Sequence, residues 1–226
     1  MRRGVLFLLA VFGLVLSSAL VVAQAVPGGA DNVYENDRGS FPIPAVDSVT
    51  LQSGNITLVG IDSNVSTYRW AGLLGNVSGN IVLGDSNNYQ LYTWTGEGRI
   101  VYASTAGSVA WASLEDETEG DITPVLTYLA SGADNYTATF TGVAENIGSG
   151  IFSTITSDYA PTNNLTAAPW KTYSLTDTTN FVWAGRVNAA QEDYSGGLVD
   201  FQMIIPEDGT GGDQASTTYN LWVELV

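Results

Sequence analysis

Between Asn55 and Ser104 the chain alternates polar and apolar residues, and clusters of Gly, Asn, Asp and Ser interrupt the alternation. A period of two puts successive side chains on opposite faces of an extended strand, so the pattern predicts a β-meander. Strands are predicted over residues 46–51, 56–61, 67–73, 80–83, 89–94, 100–104 and 108–114. Gly84-Asp85-Ser86-Asn87-Asn88 supplies one turn, and Gly96-Glu97-Gly98 a tighter one, because glycine accepts positive φ. The second turn predicts a hairpin that sets Tyr92 and Trp94 across from Ile100 and Tyr102.

The pattern changes at Glu115. Glu115-Asp116-Glu117-Thr118-Glu119-Gly120 reads as a solvated acidic run. Residues 121–130 read as one short helix, with Asp121 as N-cap and Pro124 in the first turn. Strands resume over 135–141, 151–156, 171–175, 181–187, 198–205 and 217–225. The last two are the cleanest: Val199, Phe201, Met203 and Ile205 share one face, as do Tyr219, Leu221, Val223 and Leu225. Turn signals at this spacing predict an all-β fold, an antiparallel β-sandwich (jelly-roll or Ig-like) of about ten to thirteen strands. Tyr68-Arg69-Trp70-Ala71-Gly72 is echoed by Phe181-Val182-Trp183-Ala184-Gly185, a five-residue match too short to establish a repeat.

The N-terminus breaks this pattern. Arg2-Arg3, an uncharged apolar run from Val5 to Ala23, and Ala23-Gln24-Ala25 make a secretory signal peptide, residues 1–25, with cleavage after Ala25. The run is also long enough to remain as an N-terminal membrane anchor. Arg3-Gly4 ahead of an apolar helix resembles an archaeal type IV pilin leader, although Val26-Pro27-Gly28-Gly29 stops the helix early. All three readings place the remainder outside the cytoplasm. Residues 26–45, rich in Gly and Pro, form an extended arm or linker, a tether or a strand for a neighbouring subunit. Residues 46–226 make the β-sandwich domain.

Composition then removes whole classes of function. The 226 residues carry 7 basic and 23 acidic side chains, a net charge of −16. Loss of Arg2 and Arg3 with the leader leaves five basic side chains and −18. Such a surface repels nucleic acid and anionic lipid, so neither is expected as a partner. There is no cysteine and no histidine. That excludes disulfides, thiol nucleophiles, Cys/His zinc sites and a Ser–His–Asp relay.

Five Asn-x-Ser/Thr sequons begin at Asn55, Asn64, Asn76, Asn135 and Asn164, candidate glycosylation sites in an exported chain. Of the six tryptophans, Trp70, Trp94, Trp111, Trp183 and Trp222 sit in strand-like alternation and read as core. Trp170, between Pro169 and Lys171, reads as an exposed loop residue. No cofactor is expected; calcium is the one ion for which the acidic turns at Asp85–Asn88, Glu115–Glu117 and Glu207–Asp213 offer oxygen ligands, and no DxDxDG loop organises them. No carboxylate pair stands out as catalytic.

Several blocks carry a resemblance: Asn55–Gly60, Tyr68–Gly72, Gly75–Ile81, Leu91–Trp94, Val101–Ser104, and the tail from Val199 to Gly209 closing on Tyr219 to Leu225. They resemble an uncharacterised family of secreted, β-rich archaeal surface proteins. The resemblance implies an extracellular or cell-surface location and an all-β fold, and it implies no activity. The expected function is a structural or adhesive surface protein, glycosylated, a subunit of a filament, layer or matrix, partnering itself or other surface components and touching membrane only through a retained leader. The alternatives are a secreted carbohydrate-binding module and a carboxylate-based secreted hydrolase, whose two acids would stand about 5–10 Å apart.

Overall fold

The computed structural model describes residues 26–34, 48–148, 154–162, 170–209 and 216–226. The leader with its cleavage point, residues 35–45 of the arm, Asn164, and part of the predicted strand at 151–156 lie outside them. The strands are β1 (Gly28–Gly29), β2 (Trp70–Gly75), β3 (Gly79–Gly84), β4 (Gln90–Gly96), β5 (Gly98–Ser104), β6 (Glu115–Asp116) and β7 (Gly142–Asn146). They continue with β8 (Thr156–Thr162), β9 (Trp170–Thr176), β10 (Phe181–Arg186), β11 (Gln191–Glu192), β12 (Leu198–Val199), β13 (Phe201–Pro206) and β14 (Asn220–Leu225). Two one-turn helices, α1 (Glu119–Ile122) and α2 (Tyr136–Thr139), complete the described regular structure with two 3-10 turns. All strand pairings are antiparallel, so the fold is the all-β, sandwich-like one that the alternation predicts.

The main sheet runs β1-β14-β5-β10-β9-β8-β7, with β6 on the edge of β9 beyond the end of β8. Its central strands are apolar on both faces because both faces are covered. Val101, Ala103 and Trp183 face the layer of β13 and β2, meeting Phe201, Met203 and Ile205, with Ile122, Leu129, Tyr136 and Phe140 closing the side. Ile100, Tyr102, Tyr173, Leu175, Val182 and Ala184 face the other way, beneath Leu114 and Trp111. The two layers approach closely at Gly185, where a Cβ would lie 3.1 Å from Met203 Sδ. The two tryptophans of the short sequence echo meet here: Trp70 and Trp183 pack edge-on with ring centroids 6.5 Å apart.

The described part of the arm extends its own sheet. Gly28 and Gly29 pair with Val223 and Trp222, and Ala30 N–H donates to Leu221 O at 3.0 Å. Elsewhere the structure differs from the pattern for identifiable reasons. Residues 108–114 do not form a strand; a 3-10 turn at Trp111–Ser113 swings Trp111 edge-on against Tyr102 and Trp222. The strand expected over residues 135–141 is replaced by α2, because Asn135 Oδ1 accepts from Ala138 N–H at 2.7 Å and Tyr136 stacks on Phe140, one helical turn on. A period of two and a period of four are indistinguishable over five residues. The helix expected over 121–130 is shorter and begins earlier, with Thr118 rather than Asp121 as its N-cap. It ends ahead of Pro124, which has no N–H to continue the helical ladder. The acidic run is not wholly solvated: Glu115 and Asp116 pair with Thr176 and Leu175, and Glu117 is buried. Burial raises the pKa of both Asp116 and Glu117.

Candidate assembly surface

The hairpin predicted across Gly96–Gly98 does not form. Strand β4 pairs with β3, β5 pairs with β14 and β10, and Glu97 exchanges two 3.0 Å backbone hydrogen bonds with Val226. The β3–β4 hairpin is thereby left as a separate two-stranded sheet. Its base is seated where Gly79 and Gly96 close on the Leu225 side chain, so that a Cβ at Gly79 would lie 2.7 Å from Leu225 Cδ1. Its register sets Ile81 opposite Trp94 and Leu83 opposite Tyr92, which gathers four apolar side chains on one face. The other face carries Asn80, Val82, Thr93 and Thr95. Nothing among the described residues covers the apolar face: Tyr92 is 58% exposed and Trp94 47%, their rings 4.6 Å apart.

A second uncovered stretch precedes β2. The alternation predicts a strand over residues 56–61, and here they join no ladder. Ile56 is 102% exposed and Leu58 98%. A turn over Gln52–Asn55 is closed by Asn55 N–H donating to Gln52 O at 3.2 Å, with Gly54 at φ 88°. From Thr67 onward the chain is pinned to the body. Thr67 Oγ1 donates to Asp134 Oδ2 at 2.6 Å, Arg69 pairs with Asp134 and donates to Ser131 O, and Trp70 Nε1 donates to Asp134 O at 2.7 Å.

These two stretches leave opposite ends of β2. Trp70 lies beside Pro206, whose carbonyl accepts from Tyr219 Oη near the start of β14. Gly75 lies beside Phe201, and Val77 and Gly79 reach Gly98 and Leu225 at the far end of β14. Six residues of strand separate the two ends by about 17 Å.

Both stretches are also nearly free of charge in a chain of net charge −16. Residues 48–61 contain no charged side chain, and residues 79–96 contain only Asp85, at the hairpin turn. Asp85 Oδ1 is occupied within that turn, accepting from Asn87 and Tyr89 N–H at 2.9 Å each. Full burial of such apolar side chains gives about 1.5–3 kcal/mol each, which makes them anchors for a contact.

The other predicted sites are scattered. Asn55, Asn64 and Asn76 are exposed, whereas Asn135 is half-buried and caps α2. Two tryptophans exchange the roles expected of them. Trp170 is 0% exposed, the first residue of β9, with its indole N–H donating to Glu192 O at 3.2 Å. Trp94 is on the open hairpin. The turn at Glu115–Glu117 became a strand whose neighbouring side chains point to opposite faces, and no three carboxylates converge among the described residues. A cleft of about 340 Å³ is lined by Tyr128, Phe181 and Tyr219, with Asp208 at its side.

One charged cluster escaped the sequence reading. Glu145 on β7 accepts from Lys171 Nζ and from Tyr173 Oη, both at 2.6 Å, and Arg186 lies 3.4 Å away. Burial alone would raise the Glu145 carboxyl, but these donors and the two cations outweigh it and hold it below the ordinary value. Lys171 is the only lysine in the chain, and that scarcity was the available signal. Comparison with family models, curated proteins and solved structures finds no match.

Proposed function

We propose that the chain is an extracellular structural protein, a self-associating subunit of a surface layer, filament or matrix, with no catalytic role. The observation that carries this reading is the coincidence of exposure with neutrality. A strongly acidic molecule repels its own copies, and two stretches that leave large apolar side chains uncovered, 48–61 and 79–96, carry one charged side chain between them, Asp85. The signal-like N-terminus, the exposed sequons at Asn55, Asn64 and Asn76, and the resemblance to secreted archaeal surface proteins support an exported location. Light scattering of the exported chain across a concentration series tests it. Growth of mass with concentration, strengthened by added salt as repulsion is screened, is the expected result; a strict monomer under every salt condition overturns the reading.

The cleft beside Tyr128 and Tyr219 favours one second reading, a carbohydrate-binding module, since aromatic rings near Asp208 suit a sugar ring and its hydroxyls. Titration with a panel of oligosaccharides followed by tryptophan fluorescence, with Trp183 lining the cleft, distinguishes it from assembly.

A further inference from the structure

Resting on the assembly reading, we infer that residues 56–61 of one copy add as a strand to the outer edge of β4 in a second copy, building a head-to-tail chain of subunits. The hairpin presents two unpaired edges, and a two-stranded sheet alone is marginal in water. Of the two, β4 is the better acceptor. It runs without glycine from Gln90 to Thr95 and carries Tyr92 and Trp94, the side chains that gain most from a cross-strand neighbour.

Residues 56–61 match that edge in length and in pattern. Six residues equal β3 and fall one short of β4. Alternation puts Ile56 and Leu58 on one face and Thr57, Val59 and Ile61 on the other. Laid against β4 with Ile56 and Leu58 on the side of Tyr92 and Trp94, the segment widens the apolar face that Ile81 and Leu83 begin. Thr57 and Val59 then line up with Thr93 and Thr95. The sequons at Asn55 and Asn64 bracket the segment, so a glycan on either stands outside the new ladder.

The occupant is a second copy because donor and acceptor depart from opposite ends of β2. In one molecule they share no hydrogen bond among the described residues. A donor at one end and an acceptor at the other make a heterologous contact, which propagates into an open chain unless its rotation happens to close. The missing repulsion at the contact, with acidic side chains elsewhere, lets copies meet at their ends and not along their flanks.

The absence of cysteine makes the test clean. Val59→Cys and Thr93→Cys leave every apolar side chain of the contact face in place. An equal mixture of the two single variants, oxidised at assembling concentration, is expected to give a disulfide-linked dimer. The double variant is expected to give a ladder of covalent multimers on a denaturing gel. Val59→Cys with Thr95→Cys covers the neighbouring register. Leu58→Asp is expected to weaken association about tenfold or more, with the thermal midpoint of the monomer unchanged. If the protein assembles, yet neither cysteine pair links and Leu58→Asp assembles normally, the strand addition is wrong and the assembly reading stands. A monomer-sized product with an internal disulfide places the segment on its own hairpin and also overturns the inference. Unmodified protein that never leaves the monomer overturns both.

Discussion

Strands β4 and β5 are separated by one residue and written in the same alphabet, yet they end in opposite surroundings. Gly98–Ser104 (GRIVYAS) lies between β14 and β10 with Ile100, Val101, Tyr102 and Ala103 all buried. Gln90–Gly96 (QLYTWTG) has one strand neighbour and both faces open. Alternation decides that a stretch is extended; the number of strands beside it and the layers above and below decide whether it is core. In this molecule the boundary between body and projection falls at Glu97, where the pairing with Val226 finishes the ladder.

The sharpest way to break that comparison is to truncate one tryptophan on each side of it. Trp183→Ala removes a side chain that touches Trp70 and Phe140 in the core, and is expected to cost about 3–5 kcal/mol. Trp94→Ala, on the hairpin, is expected to stay within about 0.5 kcal/mol in the monomer while lowering association. Urea unfolding at a concentration below assembly measures both. Equal losses would mean that the hairpin belongs to the body after all.

A smaller effect probes how closely the layers of the body approach. Gly185→Ala drives a Cβ to within 3.1 Å of Met203 Sδ, an overpacking expected to cost about 1–3 kcal/mol. Part of that loss is expected to return when Met203→Ala is added, because the cavity left by Met203 admits the new methyl. Strict additivity of the two losses in a double-mutant cycle would show that the layers yield elsewhere.

How far the sequence was legible follows from the same contrast. The strands of the body are named nearly residue by residue in the alternation, since 100–104, 171–175, 181–187 and 217–225 each overlap an observed strand. Partners were not legible. The Gly-Glu-Gly turn pointed to a β4–β5 hairpin, but the bonds that would close it go to Val226, more than a hundred residues away in the chain. Trp94 and Trp170 show the same limit: local pattern made one core and the other loop, while long-range packing did the reverse. Neutrality does not mark the proposed assembly surface by itself either: residues 100–114 are as free of charge as 48–61, and Ile100 to Ala103 are core.

Acid should separate the charged cluster on β7 from Asp116 and Glu117 at β6. Glu145 is held below its ordinary value of 4.5, so its stabilising contribution is full above that value and is lost as pH falls through the lower folded value. Asp116 and Glu117 are raised by burial, so their sign is opposite: protonation relieves them, and their cost returns as pH rises through the folded values. Thermal midpoints across the acid range are therefore expected to lose part of their low-pH decline in Glu145→Gln. In Glu117→Gln, by contrast, the midpoint gains most near neutral pH, where the wild-type carboxylate is charged and buried. Two variants with parallel profiles would refute the assignment of opposite shifts.

The smallest expected effect distinguishes a sequon that is part of the body from those outside it. Asn135 is the N-cap of α2, with Oδ1 on Ala138 N–H, so Asn135→Ala is expected to cost about 0.5–2 kcal/mol whether or not a sugar is attached. Thr137 is exposed, and Thr137→Ala abolishes the same sequon while leaving the cap in place. Any stability lost in Thr137→Ala from glycosylated material therefore measures the glycan, and the remainder lost in Asn135→Ala measures the cap. Asn64→Ala, on the uncovered stretch, is expected to change stability by less than about 0.5 kcal/mol. A larger loss at Asn64 than at Asn135 would mean that the uncovered stretch holds the body together, and the division at β2 between a packed molecule and its free ends would fail.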